Sequence, residues 1–164
     1  MMMTTKRRKS SGGFTFAEVM GAILVLTIAV LGASAYRYHA TLDTRKAELQ
    51  TTAARMASML CETWRGAEEP NTFDPVAYFG TELAIDSMDI HDGPRTPTDF
   101  EVLGTYRIVV NGVDHRTALF WRDVYSGLRA LTVIVVWDWD PYNHPLGPYK
   151  YASQSFTLTT YVVN

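Results

Sequence analysis

The chain has 164 residues, 47% of them apolar and 20% charged, with a formal net charge of −2. That is length for one domain plus an appendage, and the balance excludes both a disordered chain and a polytopic membrane protein. Lys6, Arg7, Arg8 and Lys9 gather four positive charges at the N-terminus. The remaining body is mildly acidic and carries no basic patch, so nucleic acid is not an expected partner.

Residues 1–13 are polar and basic and end in Ser10-Ser11-Gly12-Gly13. From Phe14 to Ala35 the sequence is almost wholly apolar, with Glu18 as its only charge. These 22 residues are about the number a helix needs to cross a bilayer. The basic flank predicts a cytoplasmic N-terminus, and Tyr36 and Tyr38 are placed to mark the outer interface. A secretory signal peptide fits poorly, because its apolar stretch is shorter and a small-x-small cleavage site should follow. An ordinary anchor gives no reason for a carboxylate five residues into the run.

Residues 36–66 read as an amphipathic continuation of that helix. Tyr38, Leu42, Leu49, Ala53, Met56, Leu60 and Trp64 recur at spacings of three, four or seven, with no Pro or Gly before Gly66. Gly66 and Pro70 supply the stop. One continuous helix from Phe14 to Arg65 would be about 80 Å long at 1.5 Å per residue. Cys61 is the only cysteine, so no internal disulfide is available, and it reads as a small apolar residue on the helix.

Residues 67–104 read as a connecting loop with one short helix, announced by Asp74 as N-cap and Pro75 in the first turn. Residues 105–164 carry strand patterns. Thr105–Val110 leads into Asn111-Gly112, a strong hairpin signal, and the return strand covers 115–124. Tyr125-Ser126-Gly127 is a second turn, Leu128–Trp137 a third and nearly continuous apolar strand, and Ser153–Val163 a fourth. The expected fold class is α+β: a long N-terminal helix, half in lipid and half packed on a small antiparallel meander.

The segment Gly13-Phe14-Thr15-Phe16-Ala17-Glu18-Val19 resembles the prepilin cleavage and methylation signal of type IV pilins and type II secretion pseudopilins. Gly13, Phe14, Thr15 and Glu18 match the family pattern, while Phe16 and Ala17 are apolar substitutions. The resemblance implies a pilin-like fold and a leader removed after Gly13 by prepilin peptidase. It also implies N-methylation of Phe14 and pairing of Glu18 with the N-terminal amine of a neighbouring subunit. Lys6, Arg7, Arg8 and Lys9 become the membrane-targeting part of the leader. Ile28-Ala29-Val30-Leu31-Gly32 before a long polar helix is similar in outline to minor pilins and I-type minor pseudopilins. The proline that many pilins carry is replaced by Ala35, and the paired cysteines of many major pilins are missing. Both departures favour a minor subunit.

The implied function is a structural filament subunit of a type IV pilus or type II secretion system. Its expected partners are other pilin or pseudopilin subunits, prepilin peptidase and the inner membrane, and its final place is a periplasmic or surface filament. No enzyme and no cofactor are expected. His39, His91, His115 and His144 are dispersed, and no nucleophile elbow or phosphate loop occurs. Asp138, Asp140 and Asn143 are a weak candidate for calcium, without EF-hand spacing; a solvated turn is the alternative. The competing function is a membrane-anchored extracytoplasmic binding module that uses the pilin signal without polymerising.

Overall fold

The structure is a computed structural model that describes residues 13–67, 69–80, 83–137 and 154–163. The leader residues Lys6, Arg7, Arg8 and Lys9, and the loop residues Asp138, Asp140 and Asn143, lie outside them. The chain separates into two compact units, Met1–Thr44 and Arg45–Asn164.

A single helix, α1, runs over Phe16–Arg65, 50 residues without an internal proline. It ends where the sequence predicts. The N–H of Gly66 bonds to the carbonyl of Glu62 at 3.0 Å, and a one-turn 3-10 helix, Pro70–Thr72, follows. In the first unit α1 buries none of its side chains. In the second its buried stripe is Leu49, Ala53, Met56, Ala57, Leu60, Cys61 and Trp64. Ala57 and Cys61 widen the stripe expected from the spacing, whereas Tyr38 belongs to the first unit and is exposed. Burial among apolar groups pushes the Cys61 thiol up to about 11, so it packs as a small hydrophobe.

The short helix α2 spans Pro75–Phe79, and the Asp74 side chain caps it by accepting from the Val76 N–H. Five strands then form one antiparallel sheet in the order β1-β2-β3-β4-β5: Ala84–Met88, Glu101–Val110, Val113–Tyr125, Leu128–Trp137 and Gln154–Val163. Every strand pairs with its neighbour in sequence. The expected meander is therefore present, with a correction. β1 lies inside the stretch read as loop and pairs along β2, with Ile85 opposite Ile108. It escapes pattern reading because only Ile85 of its five residues is buried. β2 begins at Glu101 rather than Thr105, since an irregularity between Val102 and Gly104 interrupts its alternation.

The β2–β3 turn is fixed by backbone conformation. Asn111 and Gly112 have φ of 51° and 75°, the left-handed pair that a two-residue hairpin demands. Alternation then decides what faces α1. Tyr106 and Ile108 of β2, Leu119 of β3, Leu131, Val133, Val135 and Trp137 of β4 join the α1 stripe and Ile85 in one core. Phe156, Leu158 and Val162 of β5 pack at its margin. Ala118, Phe120, Ala130 and Thr132 point the other way and are buried as well, which explains why β4 reads as an unbroken apolar run.

Candidate functional site

The first unit presents the feature with the strongest demand for a partner. Every described residue from Gly13 to Thr41 is exposed, including Phe14, Phe16, Ile23, Leu24, Val25, Leu26, Ile28 and Leu31. The apolar surface runs around the whole helix, so no single face of the same chain could cover it. An 18-residue window of this segment is long and apolar enough to cross a membrane, and none of that window is buried.

Polar side chains in the segment are satisfied within the helix. The Thr27 hydroxyl donates to the Ile23 carbonyl and the Ser34 hydroxyl to the Val30 carbonyl, both at 2.8 Å. Each returns to the turn below, where a hydroxyl meets its hydrogen-bonding need without water.

Glu18 is handled differently. Thr15 is the residue before the first helical one, and its backbone N–H donates to Glu18 Oε2 at 2.8 Å. Its hydroxyl donates to the same oxygen at 2.9 Å, while the Glu18 N–H donates back to Thr15 Oγ1 at 3.3 Å. This is a capping box: two backbone N–H groups at the helix start, which have no carbonyl beneath them, are answered by the two side chains. The carboxylate also sits where the helix dipole favours negative charge. The structure thus corrects one premise drawn from the sequence. An ordinary anchor does supply a reason for Glu18, because the residue starts the helix. Both Thr15 donors converge on Oε2, so the second oxygen takes no part in the box.

Gly13 and Phe14 precede the helix and are exposed. A Cβ added at Gly13 would meet nothing within 4 Å. Packing within the chain therefore does not require glycine there, and neither does it at Gly21 or Gly32, whose surroundings are equally open.

The second unit holds two polar groupings that spacing did not reveal. Arg129, only 5% exposed, donates from Nε to Asp123 Oδ1 at 2.7 Å and from Nη2 to Asp123 Oδ2 at 3.2 Å. Its Nη1 donates to Asn71 Oδ1, and its guanidinium lies 4.1 Å from the centroid of the Trp121 ring. Beside it the Trp64 indole N–H donates to the Pro70 carbonyl at 2.7 Å. The Arg129 hydrogen bond holds the Asp123 carboxyl below its ordinary pKa. All these groups are mutually paired, so the cluster ties the chain after α1 to β3 and β4 and offers no reactive atom. Asn71 and Arg129 are 58 residues apart, beyond any local pattern.

His115 is the other grouping. It is wholly buried, with Nδ1 3.1 Å from the Val113 carbonyl, and Nε2 meets no hydrogen-bonding partner among the described residues. Thr117, two residues on and on the same face, is also wholly buried with an unpartnered hydroxyl. His39 and His91 are exposed and distant in sequence. Among the described residues no group of three or more His, Cys, Asp or Glu is arranged to hold a metal ion.

Comparison with known proteins adds nothing to this geometry: no family profile, no curated protein and no solved structure matches the chain.

Proposed function

We propose that the chain is a structural subunit, of minor pilin or pseudopilin type, of a type IV pilus or type II secretion filament. One observation carries the reading: an apolar helix exposed on all sides follows directly on Gly13-Phe14, with one carboxylate, Glu18, in its first turn. Such a helix needs lipid before assembly and other helices after it. In this reading prepilin peptidase cuts after Gly13, and Phe14 becomes an N-methylated terminus. The openness around Gly13 supports this, since a glycine that its own chain does not need suits an enzyme closing on the backbone. The second oxygen of Glu18 then accepts the terminal amine of a neighbouring subunit, while Thr15 holds the first. The N-terminus begins on the cytoplasmic side of the inner membrane and the sheet domain lies outside. The subunit acts by packing rather than by catalysis.

The capping box favours a second reading, a membrane-anchored binding module that never polymerises, because it accounts for Glu18 without a neighbour. N-terminal mass analysis of the protein recovered from its native membrane tests processing. The expected wild-type product starts at N-methylated Phe14, and Gly13→Val accumulates with its leader attached. A wild-type protein that keeps its leader, or a Gly13→Val protein that matures normally, would sink the processing step. Recovery of mature protein in a sheared filament fraction then separates subunit from anchored module.

A further inference from the structure

We propose that His115 is an acid-sensitive contact in the helix–sheet core: a second proton on its ring loosens the packing of residues 49–64 of α1 on the sheet. The ring sits on the α1-facing side of β3, opposite Ile108 of β2 and Trp137 of β4. Its centroid lies 6.2 Å from that of Trp137. With Nδ1–H directed to the Val113 carbonyl, the remaining nitrogen is an acceptor that nothing occupies. A proton added there creates a charged donor with no acceptor, in a site water does not reach.

The charged and titratable groups around it offer little relief. Of the buried residues of α1 only the Cys61 thiol titrates; β2 contributes the Tyr106 phenol on the same face; β4 contributes Arg129, held at the far end by Asp123. On β3 itself Asp114 is the one carboxylate that favours the charged ring, and Arg107 already engages it at 2.9 Å. Desolvation outweighs that attraction and the hydrogen bond to Val113, and lowers the ring's pKa. The sign follows. Because the folded state binds the proton more weakly than the unfolded chain, the native state is fully stable above the ordinary histidine pKa of about 6.5 and loses stability as pH falls below it. The contact therefore acts in the range of mild acidification, where carboxylates are still ionised.

The test uses the full chain in detergent micelles. Unfolding by tryptophan fluorescence should be at least severalfold faster at pH 5.0 than at pH 7.5 in wild type, and should change less than about twofold in His115→Phe. Equal acceleration in both proteins would overturn the proposal. Should His115→Phe fail to fold, selective 15N labelling of wild-type histidines decides. The expected result is a His115 ring that stays neutral for as long as native signals persist, with those signals fading as pH drops. A native His115 ring that takes up its second proton and leaves the core signals unchanged would equally overturn it.

Discussion

The Arg129 guanidinium lies over the Trp121 ring, 4.1 Å from its centroid, while two of its nitrogens grip the Asp123 carboxylate. The guanidinium thus has an aromatic ring over it, while its N–H edges are taken by Asp123 and Asn71. Lysine cannot reproduce the bidentate grip on Asp123 together with the bond to Asn71, because it has no planar fork. Arg129→Lys should cost about 1–3 kcal/mol, the range of cation–π and charged hydrogen bonds at a desolvated site, measured by urea unfolding of the detergent-solubilised chain. Asp123 adds a pH signature. Its carboxyl is held low in the fold, so its share of stability is present above the ordinary aspartate pKa of about 4 and fades as pH falls further. Asp123→Asn should flatten the acid limb in that window; an unchanged limb would remove the ion pair from the account.

Trp64 closes the other side of the same corner. It is wholly buried, stacks at 12° to Phe73 with centroids 6.2 Å apart, and bonds to the Pro70 carbonyl. Trp64→Ala should lose about 3–5 kcal/mol by cavity formation. Trp64→Phe separates the two contributions, since it keeps an aromatic ring but strands the carbonyl, for about 1–3 kcal/mol. If the two variants proved equally unstable, the hydrogen bond rather than the volume would be what matters.

Thr117 carries the opposite expectation. Its hydroxyl is buried without a partner between Tyr106 on β2 and Val135 on β4. Valine keeps the branched shape that suits a strand and removes the desolvated oxygen. Thr117→Val should raise stability by about 1 kcal/mol, visible as a higher denaturation midpoint at unchanged slope. A loss instead would mean the hydroxyl is satisfied in solution.

Glu18 can be dissected because its two roles make different demands. Glu18→Gln preserves an oxygen for the Thr15 donors and so retains the cap, but it removes the charge. Thr15→Val does the reverse. On the filament reading Glu18→Gln should reduce incorporation at least about tenfold, as loss of a charge-assisted bond worth 1.5–3 kcal/mol requires, with membrane insertion unchanged. Thr15→Val should be the milder of the two. Should Glu18→Gln incorporate as well as wild type, charge pairing has no part in assembly.

How much of this was legible in the sequence depended on the range of the interaction. β4 matched its reading residue for residue because Tyr125-Ser126-Gly127 marks its start and ten apolar-rich residues follow. α1 is legible from its apolar and amphipathic runs and from the absence of proline before Gly66. β1 was not: its place is decided by Ile85 meeting Ile108, a partner 23 residues away. The clasp of Asn71 by Arg129 and the burial of His115 likewise arise from the folded sheet, and no local spacing encodes them. The Thr15–Glu18 box is the instructive case. Its Thr-x-x-Glu pattern lies in plain view, but the same four residues also resemble part of a prepilin signal, and that resemblance obscures the cap.

The sheet order has a kinetic consequence. Every strand pairs with the one made just before it, and the β2–β3 and β3–β4 hairpins can close over two-residue turns as soon as their second strands exist, whereas residues 89–100 and 138–153 must be looped out to pair β1 with β2 and β4 with β5. The expensive closure is different: Leu49 to Trp64 must wait for β3 and β4, which begin only at Val113 and Leu128, before their apolar stripe is covered. During synthesis that stripe is the long-lived sticky surface of the chain. An apolar segment able to span a membrane, made before the stripe, could hold it at one place while the sheet catches up.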